Sequence, residues 1–265
     1  MLIIGERINS TRLAIQGAIK ARNASIILKE AASQLAAGAH YIDINCAVTS
    51  GDEILDIDWV VSVIQSEIRD VNLCIDSPGY LAIERALKVY KGRGSIMINS
   101  ITADEARIKN MLPLALKYST KLIALTMDER KMPETASERF QIAERILERL
   151  RKEGFPAENL YFDPLIRPVS TEPAQAREVF KSIPMIKALG VKTVCGLSNI
   201  SYGLPDRRLV NSTFLAMAVH AGLDAVILDP LDKEAMSILR ASRALLNMDE
   251  YCANYIKAFR EGRLR

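Results

Sequence analysis

The sequence predicts an α/β fold, a closed (β/α)8 TIM barrel, from its length, its short apolar runs and the helical segments between them. Its 265 residues are close to the roughly 250 that are typical of one eightfold barrel. Several apolar runs are rich in Ile, Leu or Val without polar alternation, as is typical of parallel strands covered on both faces. We predict eight strands, at Leu2–Gly5, Tyr41–Ile44, Leu73–Ile75, Ser95–Ile98, Lys121–Thr126, Leu160–Phe162, Thr193–Leu197 and Ala225–Leu228.

Amphipathic stretches of helical period separate these runs. Ile26–Gly38 has apolar residues at three-and-four spacing and ends in a glycine, which predicts a helix and its stop. Ser137–Gly154 repeats the pattern, with Ser137 as the N-cap candidate. Thr213–Gly222 is apolar nearly all round, which predicts a helix buried against a partner or a neighbouring helix. No GxGxxG motif follows the first strand, which argues against an open dinucleotide-binding sheet, and without a composition break we predict one domain over residues 1–265.

The composition argues against several classes of protein. The net charge of +3 comes from 35 basic and 32 acidic residues without a like-charge block, unlike the basic patches of nucleic-acid-binding proteins. No run of about 18 apolar residues predicts a membrane span, and the early charges at Glu6 and Arg7 are unlike a signal peptide. Four scattered cysteines without a CxxC pair, and only two histidines, lead us to expect reduced thiols, no zinc or iron–sulfur centre and a cytoplasmic protein.

Polar side chains lie in or directly after nearly every predicted strand. In this fold the active site lies at the C-terminal ends of the strands. Carboxylates and carboxamides dominate these positions, which suits a flat heterocycle whose edge offers several N–H donors and a carbonyl, such as a pterin. The positions include Glu6, Asn9, Asp43, Asn45, Asp76, Asn99, Asp163, Ser198, Asn199 and Asp229.

Two other interpretations of these residues stay open at this point. A group of three or four carboxylates could hold a metal ion, although asparagine is a weak ligand and no histidine supports the group. Taken singly, an Asp or Asn that ends a strand often caps the next helix or closes a turn. Asp229, which precedes Pro230, is more typical of a turn than of a ligand.

Seven segments, taken in order, resemble the pterin-binding methyltransferases. The segments read LIIGERIN, YIDIN, CIDS, MINS, LTM, YFDPL and GLSN-S followed by NSTFLAMA, and the resemblance runs from Met1 to about Phe259. Members of that family transfer a methyl group between methyltetrahydrofolate and the cobalt of a corrinoid protein, and the folate domain of cobalamin-dependent methionine synthase is related to them. The resemblance implies tetrahydrofolate as substrate, a corrinoid carried by a partner protein, no bound metal and a homodimer.

The resemblance also implies roles for particular residues. Asp76, Asn99 and Asp163 match the residues that hydrogen-bond the pterin ring, and Asn199 matches the asparagine near N5, the atom that carries the methyl group. We expect Asn199 to assist catalysis by donating a hydrogen bond to N5, with help from Asp76. The predicted substrate-binding set is Asp76, Asn99, Asp163, Asn199, Ser198, Asp43, Asn9, Glu6, Lys187 and Arg207.

One departure from the family pattern concerns the corrinoid partner. Some members have glutamine where this chain has Tyr202, so we expect a corrinoid protein other than the acetogenic iron–sulfur one, docked at the barrel mouth. The predicted docking loops are Ser50–Asp56, Asp128–Ala136, Pro168–Pro173 and Tyr202–Arg208.

Two alternative functions follow from the same pterin site. Dihydropteroate synthases also hold a pterin in an eightfold barrel, but they have a glycine- and serine-rich loop where this chain has ERINSTR. A non-catalytic folate-binding protein would bind folate tightly and transfer no methyl group.

Overall fold

The computed structural model describes residues 1–48, 51–129 and 131–264, and its eight parallel strands close into a barrel in chain order. This confirms the predicted fold class. The strands are β1 Leu2–Asn9, β2 Tyr41–Asn45, β3 Leu73–Asp76, β4 Ile96–Ile101, β5 Lys121–Leu125, β6 Leu160–Asp163, β7 Lys192–Gly196 and β8 Ala225–Leu228. The helices are α1 Leu13–Lys20, α2 Ala24–Ala37, α3 Glu53–Glu67, α4 Tyr80–Val89, α5 Glu105–Lys117, α6 Ala136–Lys152, α7 Gln175–Lys187, α8 Arg207–His220, α9 Lys233–Leu245 and α10 Ala253–Arg260.

All eight predicted strands are confirmed, and the largest difference is that β1 continues to Asn9. Its pairing with β2 shifts register between Gly5 and Ile8. The side-chain oxygen of Gln34 accepts a hydrogen bond from the backbone N–H of Arg7 at 3.0 Å, and a Cβ at position 5 would overlap that oxygen. Glycine at position 5 therefore lets the Gln34 side chain approach the backbone closely beside the irregular part of the strand, and a larger residue would displace that side chain.

The helix predictions hold in position but not in every boundary. Helix α2 ends at Gly38 in the left-handed conformation, with φ 110°, as predicted. The assignment of Ser137 as an N-cap is wrong, since Thr135 caps α6 and forms a reciprocal capping box with Glu138. Thr213–Gly222 falls in and just after α8, where Phe214, Leu215, Ala218 and Val219 are buried against the rest of the chain and Met217 is 50% exposed.

The barrel interior changes character along its axis. Toward the N-terminal ends of the strands it is filled by an apolar cluster that includes Ile4, Met97 and Ile123. Toward the C-terminal ends the inward positions are polar, and Asp76 and Asn99 follow two residues after members of that cluster. Because side chains alternate along a strand, these polar groups face the same central space, and we call this end the barrel mouth.

The remaining global predictions have mixed outcomes. Cys46, Cys74 and Cys195 are buried and Cys252 is exposed. Over the part of the chain that the structure describes, no helix combines the length and the apolar character needed to cross a bilayer. Ser50 and Arg130, in two of the predicted docking loops, lie outside the described residues. The single domain and the cytoplasmic location stay predictions.

Candidate functional site

The strand register aligns polar residues at the ends of β2, β3 and β4. Asn45 is paired with Asp76, and Asp76 with Asn99. Residues paired in a parallel sheet point to the same face, and the Asn45 Nδ2 donates a hydrogen bond to Asp76 Oδ2 at 2.8 Å. Burial raises the pKa of Asp76, and the hydrogen bond from Asn45 opposes part of that rise. The predicted pair Asp76 and Asn99 is therefore brought together at the mouth.

Asp43 lies one step deeper in the barrel on the same face of β2. It is 2% exposed. Burial, and then the nearby charge of Asp76, raise the pKa of this carboxyl well above its usual range, although Cys74 and Asn99 hydrogen-bond it. Its Oδ1 has no hydrogen-bond partner among the residues that the structure describes. A buried acceptor left unpaired is costly, so this oxygen indicates a ligand that brings a donor.

Asp163 closes β6 on the other side of the mouth. Its Oδ1 accepts a hydrogen bond from the backbone N–H of Leu165 at 2.7 Å. Burial raises the pKa of Asp163 to about 6, although the N–H groups of Leu165 and Gly196 stabilise the charged form. The carboxyl is therefore mostly ionised at neutral pH and can accept hydrogen bonds from a ligand.

Arg139, which the sequence analysis missed, supports Asp163 from outside the barrel. Its side chain is fully buried, and it donates to the carbonyl oxygens of Pro164 at 2.5 Å and Leu165 at 3.3 Å. These carbonyls belong to the loop whose N–H binds Asp163. The signal was present, because Arg139 stands three and seven residues before Ile142 and Ile146, and so on the apolar face of α6.

Glu6 and Ser198 connect β1 to the short turn Leu197–Asn199 after β7. The Ser198 hydroxyl donates to Glu6 Oε1 at 2.7 Å, and burial raises the pKa of Glu6. Arg207 donates to the Ser198 carbonyl at 2.7 Å and to the Ser201 hydroxyl at 3.0 Å. The turn that carries Asn199 is thus held from both sides.

Asn9 and Asn199 border the same opening at the mouth. The Asn9 Oδ1 accepts from the N–H and the hydroxyl of Thr11 at 3.0 and 2.7 Å. The Asn199 Nδ2 lies beside Gly196, 3.6 Å from where a Cβ would stand. Both asparagines line a cavity of about 520 Å³ together with Glu6, Ser198 and Arg207, so five of the predicted site residues share one space.

The prediction for Lys187 is wrong. Its Nζ donates to the Gly222 carbonyl at 2.6 Å and to Asp224 Oδ1 at 2.7 Å. Asp224 directly precedes β8, so this contact lies at the N-terminal end of the barrel, opposite the mouth. The reason is topological: a helix that follows a parallel strand runs back along it, so that residues at its C-terminus return to the base.

Asp229 makes structural contacts, as its position before Pro230 suggested. Its Oδ1 accepts from the backbone N–H of Leu231 at 2.9 Å, which is a turn contact, and its Oδ2 accepts from Arg7 at 2.6 Å. Among the described residues, no three or more His, Cys, Asp or Glu side chains form a group that could hold a metal ion.

The family and the relatives of this chain can now be compared with that geometry. A family model described as pterin binding enzyme matches residues 5–229. The chain belongs to this family. It is 30% identical over 269 aligned residues, covering 100% of the chain and 98% of the relative, to a methylcorrinoid:tetrahydrofolate methyltransferase of Eubacterium limosum. It is 28% identical to methionine synthase of Mycobacterium tuberculosis over 86% of this chain and 20% of that protein. The resemblance stated from the motifs is therefore confirmed.

Solved structures support the fold. Dihydropteroate synthase from Xanthomonas albilineans with 4-aminobenzoic acid superposes with a TM-score of 0.70 at 17% identity, covering 94% of this chain and 92% of that one. The 7,8-dihydropteroate synthase from Vibrio fischeri gives a TM-score of 0.65 at 15% identity, with 93% of each chain covered. At such low identity these likenesses concern the architecture alone.

Proposed function

We propose that this enzyme moves a methyl group between N5 of tetrahydrofolate and the cobalt of a corrinoid held by a separate protein. The family membership and the full-length similarity to a protein named for that reaction support the proposal. The observation that carries it is the buried group of carboxyls at the mouth, Asp43, Asp76 and Asp163, all with raised pKa. Carboxyls with pKa values perturbed by burial, gathered at the end of the strands, are typical of a functional site.

In this proposal the pterin ring lies between Asp76 and Asp163. One edge of a pterin offers an exocyclic amino group and ring N–H donors, and carboxylates accept such pairs of hydrogen bonds. Asn99 can both donate to the ring carbonyl and accept from a ring N–H. The unpaired Oδ1 of Asp43 supplies a further acceptor below the ring.

Asn199 is assigned to the reacting nitrogen. When the methyl group leaves, the bond between N5 and carbon breaks, its electron pair stays on N5, and N5 gains a proton. An N–H of the Asn199 carboxamide donates a hydrogen bond to N5 that strengthens as this charge develops, and such stabilisation raises the chemical rate. Asp76, whose pKa burial raises, helps to move the proton through bound water. In the reverse direction N5 accepts the methyl group and releases the proton.

The corrinoid, when carried to the mouth by its own protein, supplies the reduced cobalt that exchanges the methyl group. This chain contributes an open mouth with an apolar rim. The exposed apolar side chains there are Leu13 at 83%, Val48 at 52%, Tyr202 at 67% and Leu209 at 57%. Exposed apolar patches of this kind suit docking of a partner, and the homodimer stays a prediction.

The test is an anaerobic assay of methyl transfer from methyltetrahydrofolate to chemically reduced free cobalamin, followed by the visible spectrum. We expect protein-dependent formation of methylcobalamin. Asn199→Ala should lower the rate at saturating folate by about a hundredfold while folate affinity changes little, as for loss of a transition-state donor. The matched control is Asn110→Ala, because Asn110 is an exposed asparagine of α5.

Three outcomes separate the alternatives. Folate binding without transfer to free cobalamin or to any corrinoid protein would favour a non-catalytic folate-binding protein. Condensation of a pterin pyrophosphate with 4-aminobenzoate would favour a dihydropteroate synthase. No binding of any reduced pterin would contradict the pterin site itself.

A further inference from the structure

Arg107 lies in the first turn of α5, the helix that follows β4. Asp104 caps this helix and accepts hydrogen bonds from the backbone N–H groups of Ala106 at 2.7 Å and Arg107 at 3.4 Å. A helix that follows a parallel strand begins beside the C-terminal end of that strand, so Arg107 stands next to the mouth. Its side chain is partly buried, and the mechanism described above makes no use of it.

The guanidinium of Arg107 connects the segments that follow β3 to the end of β4. Its Nε donates to the carbonyl oxygen of Ser100 at 2.6 Å. Its two Nη atoms donate to the carbonyl oxygens of Pro78 at 2.7 Å and Ser77 at 3.1 Å. All three nitrogen atoms of one planar group therefore bind backbone carbonyls from two neighbouring strand ends.

Two of these carbonyls belong to residues that directly follow predicted ring-binding side chains. Ser77 comes directly after Asp76, and the backbone N–H of Ser77 donates to the Asn99 carbonyl at 3.1 Å. Ser100 comes directly after Asn99. Because a guanidinium presents its N–H groups in a fixed planar arrangement, Arg107 sets the position of one strand end relative to the other.

Arg107 also brings a positive charge to a group of carboxyls. Burial raises the pKa of Asp76, and the hydrogen bond from Asn45 on β2 opposes that rise. The charge of Glu53, at the start of α3, adds to the rise, whereas the charge of Arg107 opposes it. Asp43 on β2 also interacts with this carboxyl, and its own pKa is raised by burial and then by the charge of Asp76. Arg107 therefore favours the ionised form of Asp76, which accepts hydrogen bonds from a ring edge.

We propose that Arg107 is a positioning residue of the substrate site, which holds the strand ends that carry Asp76 and Asn99 and keeps a positive charge near the Asp76 carboxylate. The inference rests on the proposed function, in which these two side chains bind the pterin ring. Arg107 acts on the substrate through them, because its own N–H groups are bound to backbone carbonyls. Arg139 makes contacts of the same kind with the carbonyls that follow Asp163.

The test measures dissociation constants for tetrahydrofolate by anaerobic calorimetry. Arg107→Met removes both the planar donor group and the charge, whereas Arg107→Lys removes the planar group and keeps the charge. Arg107→Met is also made in an Asp76→Asn background, where no carboxylate has to be kept ionised. The matched control is Lys109→Met, because Lys109 is an exposed cation on the same helix. Urea denaturation of the same samples shows which variants are folded.

We expect Arg107→Met to weaken tetrahydrofolate binding about tenfold, which is within the coupling measured for residues of one hydrogen-bonded network. In the Asp76→Asn background the same substitution should weaken binding only about twofold, because the residue that Arg107 acts through is already altered. Arg107→Lys should recover part of the loss, and Lys109→Met should leave the affinity unchanged.

The pH dependence of binding separates the charge of Arg107 from its geometry. Without that charge, the Asp76 carboxyl takes up a proton at higher pH, so acidification should begin to weaken tetrahydrofolate binding at a higher pH in Arg107→Met than in the wild-type chain. Arg107→Lys keeps the charge and should keep the wild-type pH dependence. A contact that only stabilised the fold would leave this pH dependence unchanged in both variants.

The results distinguish this inference from the proposed function. Unchanged affinity in Arg107→Met, an equal loss in the two backgrounds or an unshifted pH dependence in Arg107→Met would overturn the role of Arg107, while pterin binding and methyl transfer stand. If Arg107→Met does not fold, Arg107→Lys decides, and wild-type affinity in that variant would overturn the role. Failure of the wild-type chain to bind tetrahydrofolate would overturn the proposed function itself.

Discussion

The two ends of the barrel differ in how the charged side chains that line them are paired. At the mouth, Asp43 has an unpaired oxygen, and burial raises the pKa of Asp43, Asp76 and Asp163. The charge of Asp76 adds to the effect of burial on Asp43. Holding these carboxyls there costs free energy in the absence of a ligand.

At the base, the side chains of Lys121 and Lys187 have partners within the chain. Lys121 donates to the hydroxyl of Tyr41, and its Nζ lies 4.9 Å from the centre of that ring. Lys187 bridges the Gly222 carbonyl and Asp224. Contacts of this kind close the lower end of the barrel without needing a ligand.

This difference predicts which substitutions in this chain should affect stability and which should affect function. Substitutions at the base should lower the free energy of unfolding and spare activity. Substitutions at the mouth should lower activity and change the free energy of unfolding little, because a group without a partner in the free enzyme gains one only from the substrate.

The largest effect is expected where the mouth is supported from outside. Arg139→Met should lower the free energy of unfolding by about 3 kcal/mol, because it leaves the buried carbonyls of Pro164 and Leu165 without their donor. Urea denaturation measures the change. Arg145→Met on the same helix, at an exposed ion pair, should change stability by no more than about 0.5 kcal/mol. Equal losses in the two variants would contradict a special role for Arg139.

The next largest effect is on folate affinity. Asp76→Ala should weaken tetrahydrofolate binding about a hundredfold, the size expected for losing charge-assisted hydrogen bonds to the ring edge. The free energy of unfolding should change by less than about 1 kcal/mol, because the variant also removes a buried carboxyl that is costly to ionise. Calorimetric binding and urea denaturation on the same sample check both parts. A large loss of stability with unchanged affinity would place Asp76 among the structural groups.

A smaller effect should appear in the pH dependence of folate binding. The pKa of Asp163 is raised from 3.8 to about 6, so lowering the pH through 6 protonates the carboxyl and removes an acceptor. Affinity should fall about tenfold between pH 7 and pH 5, and Asp163→Asn should abolish the part of this dependence centred near pH 6. The sign for stability is opposite: because the folded pKa is raised, the contribution of Asp163 to stability falls as pH rises from 3.8 to 6. Affinity that rises on acidification would contradict the assignment.

The smallest effect should come from the base. Lys187→Met should lower the free energy of unfolding by about 1 kcal/mol, since the ion pair with Asp224 is partly exposed. Methyl transfer and folate affinity should match those of the unaltered chain. If Lys187→Met lost folate affinity with an unchanged free energy of unfolding, Lys187 would belong to the substrate site at the mouth, and its position in the structure would be contradicted.

Much of the fold and part of the site could be predicted from the sequence, because both depend on local patterns. Short apolar runs marked all eight strands, and several of these runs lack polar alternation. Since parallel strands deliver their C-terminal ends to one edge, the residues closing those runs had to gather there, and Asp76, Asn99 and Asp163 do. The motif resemblance then suggested which ligand they bind.

The mistaken predictions came from treating position along the chain as position in space. Lys187 was grouped with the mouth although it ends a helix that returns to the base. Ser137 was taken as the N-cap although Thr135, two residues earlier, forms the capping box. Arg139 was missed because an arginine in an amphipathic helix ordinarily faces solvent.

The sequence by itself determined the barrel, the order of its strands and the polar character of its mouth. These features depend on hydrophobic patterns and on residues that follow one another directly along the chain. Only the tertiary structure decided which polar groups are satisfied. Glu6 and Ser198 are 192 positions apart and share a hydrogen bond, whereas Asp43 keeps an unpaired oxygen among close neighbours. Burial and pairing depend on what the rest of the chain places around a group, and the pKa values at the mouth follow from that surrounding.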